Sequence, residues 1–76
     1  MTKNKKVQLS SVYMGKAIKK VRISKGLSQE GLGEKIGVGK SHISKLETGI
    51  KKNLTLSAIA KIFEAMGSEM FFSITD

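Results

Sequence analysis

The chain has no cysteine, no proline and no tryptophan in its 76 residues. Without cysteine there are no disulfide staples, no thiolate metal sites and no thiol redox chemistry. A single histidine cannot assemble a metal site, so neither a metal nor any other cofactor is expected. There is no run of about 18 apolar residues, so no membrane-spanning helix is expected. The opening residues, MTKNKKVQLSS, are polar and basic and lack the apolar stretch of a secretion signal. The compartment expected is therefore the cytoplasm. Acidic residues are also scarce: six stand against fourteen lysines and arginines, for a net charge of +8. That excess suits a polyanionic partner, most simply nucleic acid, although it also describes a solubilising surface.

The length leaves room for one domain with a small core. A catalytic cleft with its own supporting shell is hard to build at this size. The sequence also offers no paired carboxylates in a cleft, no nucleophile–base pair and no phosphate-binding glycine loop followed by lysine. The expectation is a binding module and not an enzyme. With 39% hydrophobic residues the chain can fold. Its stability must come from strong local helix signals, from a partner chain, or from both.

Residues 1–10 read as a flexible basic arm carrying Lys3, Lys5 and Lys6. From Ser11 the pattern changes. Met14, Ile18, Val21 and Arg22 recur at helical spacing, with Ser10 or Ser11 as cap and Gly26 as stop. A second helix follows in LSQEGLGEKIG. Ser28 caps it, Glu30 sits in its first turn, Leu32 and Ile36 face inward, and Gly37 ends it. Gly31 and Gly33 inside this helix each cost about 1 kcal/mol relative to alanine. Close backbone approach to a neighbouring helix would account for Gly33; Gly31 has no such reason in the sequence.

The third helix is GKSHISKLETG, with Gly39 as a weak cap and Gly49 as its end. Ile43 and Leu46 face inward, while Lys40, Ser41, Ser44 and Lys45 lie on the other side. A polar loop, IKKNL, leads to a fourth helix capped by Thr55. Its apolar stripe is Leu56, Ile59, Ile62, Phe63 and Met66, and Gly67 ends it. The methionines at 14, 66 and 70 read as core and not as ligands. The tail, SEMFFSITD, switches to a period of two, with Met70, Phe72 and Ile74 alternating with Phe71, Ser73 and Thr75. This reads as a strand. A lone strand leaves its backbone groups unpaired, so it needs a mate, most economically the same strand of a second copy. Met70, Phe71, Phe72 and Ile74 are then dimerisation residues. The organisation expected is an arm over 1–10, a helical domain over 11–67 and a dimerisation strand over 68–76.

Helix two, a short turn containing Gly37, and helix three form a helix-turn-helix layout. Such a motif needs a glycine or small residue in the turn and apolar residues that lock the two helices. It also needs short or hydrogen-bonding side chains to reach base edges, and positive charge around them to meet phosphates. Gly37, the set Leu32, Ile36, Ile43 and Leu46, the run Lys40-Ser41, and Lys45 with Lys51 and Lys52 supply these parts. The position of Lys51, Lys52 and Asn53 just after the third helix favours phosphate contact.

The stretch MGKAIKKVRISKGLSQEGLGEKIGVGKSHISKLETG resembles the Cro/CI-type (XRE) helix-turn-helix domains of phage repressors and bacterial regulators. The likeness runs through Gly15, Ile18, Arg22, Gly26-Leu27-Ser28-Gln29, Leu32, Gly37, Ile43-Ser44-Lys45-Leu46-Glu47 and Gly49. It departs at Gly31 and Gly33, where a larger residue and alanine are usual. The full layout, with a strand after helix four, is similar to HipB-type antitoxins. The resemblance implies an all-α, lambda-repressor-like fold of four helices with a C-terminal β-strand paired across a dimer. It implies that Gln29 binds a DNA phosphate and braces the recognition helix. Gly39, Lys40, Ser41, Ser44 and Lys45 would face or approach the major groove, with His42 near the backbone edge. Arg22 and Glu47 would form a structural ion pair between helices one and three. The function it implies is a sequence-specific repressor, binding an inverted-repeat operator on double-stranded DNA as a homodimer. The antitoxin likeness adds a cognate toxin, a HipA-like kinase, as a partner. The alternative from charge alone is a nonspecific nucleic-acid-binding or structural protein.

Overall fold

The computed structural model describes residues 11–51 and 54–68. Over them the chain forms four helices: α1 Ser11–Ser24, α2 Gln29–Ile36, α3 Lys40–Glu47 and α4 Leu56–Ala65. The starts follow local chemistry. Ser28 accepts a hydrogen bond from the Gly31 amide at 2.8 Å, and Thr55 accepts one from Ala58 at 3.0 Å. Each hydroxyl satisfies an amide that its helix leaves open. Gly39 opens α3 with an extended backbone and no side-chain bond. Ser10, the other cap considered for α1, lies outside the described residues, as do the basic arm, Lys52 and Asn53.

Two of the helices have only eight residues, too few to persist alone in water. Packing holds them. Ile18, Leu32, Ile43, Leu46 and Ile59 are fully buried, and all four helices contribute at least one. Each such side chain contributes roughly 1.5–3 kcal/mol by leaving water. α3 alone supplies two, so the short third helix is the best anchored for its length. Met14, Ile62, Phe63 and Met66 complete the core, with Val21, Leu27, Ile36, Val38 and Leu54 packed at its edge.

Two glycines set how closely the elements pack. A Cβ on Gly15 would overlap the carbonyl oxygen of Leu46 and lie 2.9 Å from that of Glu47, so α1 meets the end of α3 backbone to backbone. A Cβ on Gly33 would lie 2.6 Å from the Val38 carbonyl oxygen. The close approach expected at Gly33 is therefore to the turn that follows α2 and not to a neighbouring helix. Leu56 also departs from expectation. It is the first residue of α4 and is 44% exposed, whereas Ile59, Ile62 and Phe63 further along the stripe are buried. No strand occurs among the described residues. The strand expected over 68–76, with Met70, Phe71, Phe72 and Ile74, lies beyond them apart from Ser68.

Candidate nucleic-acid interface

The turn between α2 and α3 is short and is held at its start by two backbone hydrogen bonds. Gly37 takes the left-handed conformation, φ 80° and ψ 29°, which a side chain rarely adopts. The Gly33 carbonyl accepts from the amides of both Gly37 and Val38, the latter at 2.8 Å. These bonds close the end of α2 on the Gly33 carbonyl and turn the chain directly into α3.

On α3, Ile43, Leu46 and Glu47 face inward, and Ser41 and Lys45 stand exposed one turn apart on the outward side. Lys40 is exposed in the first turn. Ser44 and His42 are half-buried at the two margins, so they flank the outward row and do not form it. Thr48 continues that row after Lys45 and is exposed; its hydroxyl donates to the Ser44 carbonyl at 3.0 Å. Its spacing of three from Lys45 and seven from Ser41 is the sequence signal that places it on this row. Gly39 is exposed where α3 begins, and Lys51 is half-buried in the loop after it.

Behind this surface lies a polar cluster. Arg22 donates through Nε to Glu47 Oε2 at 2.5 Å and through Nη2 to Glu47 Oε1 at 3.1 Å. Its Nη1 donates to the Leu27 carbonyl at 2.8 Å. Gln29, the first residue of α2, donates through Nε2 to Glu47 Oε1 at 3.1 Å. The Glu47 side chain is only 3% exposed, so this is a buried charge whose acceptors are engaged on both oxygens. Burial pushes the Glu47 carboxyl up, but the hydrogen bonds from Arg22 and Gln29 and the charges of Arg22 and Lys19 outweigh it. The net effect holds the carboxyl below its ordinary value. The hydrogen bond to Glu47 raises Arg22 against its own desolvation, so the guanidinium stays charged.

Lys19 brings a further positive charge to this cluster. It lies on α1 between Gly15 and Arg22, the two residues that meet the end of α3, and it is exposed. The helical spacing of 15, 19 and 22 carried that signal. Its charge acts on the Glu47 carboxylate. Among the described residues there is no grouping of side chains that could hold a metal ion and no helix long and apolar enough to cross a membrane.

The model of a helix-turn-helix family of the XRE type matches residues 18–72. The chain belongs to this family. As an XRE-type helix-turn-helix protein it is a DNA-binding regulator. Its fold is similar to the crystal structure of the clp gene regulator ClgR from C. glutamicum, with a TM-score of 0.73 and 27% identity. That match covers 86% of this chain and 83% of the ClgR chain. It is also similar to a chain in the structure of a HipA–HipB–O2–O3 complex, with a TM-score of 0.69 and 30% identity. Here the match covers 95% of this chain and 99% of the other. No curated protein sequence matches.

Proposed function

We propose that this XRE-type protein is a sequence-specific transcriptional repressor that binds an inverted-repeat operator as a homodimer. The observation that carries the reading is the outward side of α3. Lys40, Ser41 and Lys45 are exposed on a short helix whose other side is pinned in the core. Such a rod can enter a major groove without bending. Lys45 and Lys40 donate to guanine O6 and N7, and Ser41 pairs with any of several base edges. Ser44 and His42 meet the margins of the groove. Gln29, Gly39 and Lys51 contact the sugar–phosphate backbone on either side, together with Lys52 and Asn53.

Pairing through residues 68–76, with Met70, Phe71, Phe72 and Ile74 in contact, would join two such units. Their recognition helices would then lie about 34 Å apart, one turn of the duplex. The lysines of residues 1–10, read from the sequence as a basic arm preceding the helical domain of 11–67, would add backbone affinity. Repression follows from occluding polymerase. Selection of bound sites from random DNA tests this. The expected outcome is an inverted repeat with half-sites one helical turn apart. A single unrepeated site, or no enrichment at all, contradicts it.

A second role is favoured by the extent of one likeness. The match takes in nearly all of this chain and of a chain in the HipA–HipB–O2–O3 complex, at 30% identity. We propose that this protein is an antitoxin and autorepressor, holding a HipA-like kinase as its cognate toxin. Co-purification with the product of the adjacent gene tests it. A stable complex supports the role, and a toxin-like neighbour that does not associate removes it.

A further inference from the structure

α1 carries no acidic residue and has lysines at 16, 19 and 20. Its buried side is Met14, Gly15, Ile18 and Arg22. With roughly 3.6 residues per turn, Tyr13, Lys16, Lys20 and Ile23 fall on the opposite side, and all four are exposed. Tyr13 is 70% exposed and Ile23 57%. Single apolar residues are ordinary on a surface. These two instead close the ends of one stripe, with two lysines between them. The steps along it, from 13 to 16 to 20 to 23, have the rhythm of a seam between two packed helices.

The stripe also has a shape. Tyr13, Lys16, Ala17 and Lys20 line an open cleft of about 260 Å³. They stand at i, i+3, i+4 and i+7, the four positions that make a hole for one side chain of a facing helix. Ala17, the smallest of them, is half-buried and packs against the core, so the hole opens over it between three longer side chains. Lysine stems are apolar and their ammonium groups reach into water. The hole therefore has apolar walls and a positive rim. A second copy does not suit it, because pairing this face with itself sets Lys16 and Lys20 against like charges. A duplex would meet the lysines but leave the hole and Ile23 unfilled.

We infer that the outward face of α1 is a docking site for an acidic amphipathic helix of a partner protein. That helix inserts one apolar side chain into the hole over Ala17. Carboxylates beside it pair with Lys16 and Lys20, and a further apolar residue covers Ile23. The residues of α1 that meet α3 are Gly15 and Arg22, and neither belongs to this stripe. The site is thus separate from the surface that α3 offers to a duplex and does not depend on the DNA-binding reading.

The probe that tests this is a phage-displayed library of helices, apolar along one seam and randomised beside it, selected against the intact protein. The expected winners carry aspartate or glutamate flanking a central apolar residue. A synthetic copy of the enriched helix is then measured against variants, each shown by thermal melting to be folded. Lys16→Glu with Lys20→Glu should weaken binding at least about tenfold. A helix with its acids changed to lysine should recover affinity for that variant alone. Lys35→Glu with Lys61→Glu makes the same change in charge on α2 and α4, and should stay within about twofold of wild type. Tyr13→Ala should cost about tenfold in helix binding and leave affinity for a selected duplex unchanged. No enriched helix, winners without acids, or equal losses from the two lysine pairs overturn the proposal. A Tyr13→Ala protein that loses duplex affinity to the same degree assigns the face to DNA and overturns it too. A wild type that binds the helix but no duplex supports the docking site and overturns the DNA-binding reading instead.

Discussion

Replacing Glu47 by alanine leaves Arg22 charged and enclosed, with one hydrogen bond to a backbone carbonyl. Breaking one side of a buried pair costs more than removing both. We expect Glu47→Ala to lower stability to urea by about 3 kcal/mol, and the Arg22→Met, Glu47→Leu pair to cost much less. Equal losses would mean that the charge is better solvated than its 3% exposure indicates. The same carboxyl gives a pH signature. Its value in the folded protein lies below the ordinary one, so its contribution is complete above the ordinary carboxylate range. That contribution fades as the pH falls through the folded value, where Glu47 takes a proton although Arg22 and Lys19 oppose it. The urea midpoint should drop on acidification, and Glu47→Gln should remove part of that dependence. At this scale the partners Arg22 and Glu47 were legible from the family likeness. The same likeness implied a brace from Gln29 to α3, but not its acceptor, Glu47. That depends on where separate helices converge, and no local pattern records it.

Each helix is held by few groups, so its ends matter. Ser28→Ala and Thr55→Ala should each cost about 1 kcal/mol in thermal or urea unfolding, the usual loss of a capping hydroxyl. Gly15→Ala should cost more, in the range of about 1–3 kcal/mol, because its methyl meets backbone that cannot turn aside. A stabilised Gly15→Ala protein would show that α1 and α3 are free to separate. The element starts were legible because caps are local: Ser28 and Thr55 mark them in the sequence, and the glycine stops did the same for the ends. Leu56 departs from the stripe because periodicity reports a face and not which stretch of it a neighbour covers. The reason for Gly33 was half legible. A glycine inside a helix signals contact, but only the folded turn shows that the contact is the Val38 carbonyl.

For the whole molecule the question is how two sources of affinity combine. A net charge of +8 gives binding to any duplex, steeply weakened by salt. The surface of α3 gives preference among duplexes. Dimerisation should join the two. Phe72→Asp is expected to yield monomers in sedimentation and to weaken operator binding far more than it weakens binding to scrambled DNA. A dimer that survives it would place the interface elsewhere. The charge and the helix-turn-helix layout were readable from composition and spacing, whereas the pairing of copies concerns a segment outside the described helices. The most direct test measures the ratio of affinities for the selected operator and a scrambled duplex at physiological salt. The wild type is compared with the double variant Lys40→Ala, Lys45→Ala. The account predicts that the ratio collapses toward one while residual salt-sensitive binding persists. An unchanged ratio would contradict it.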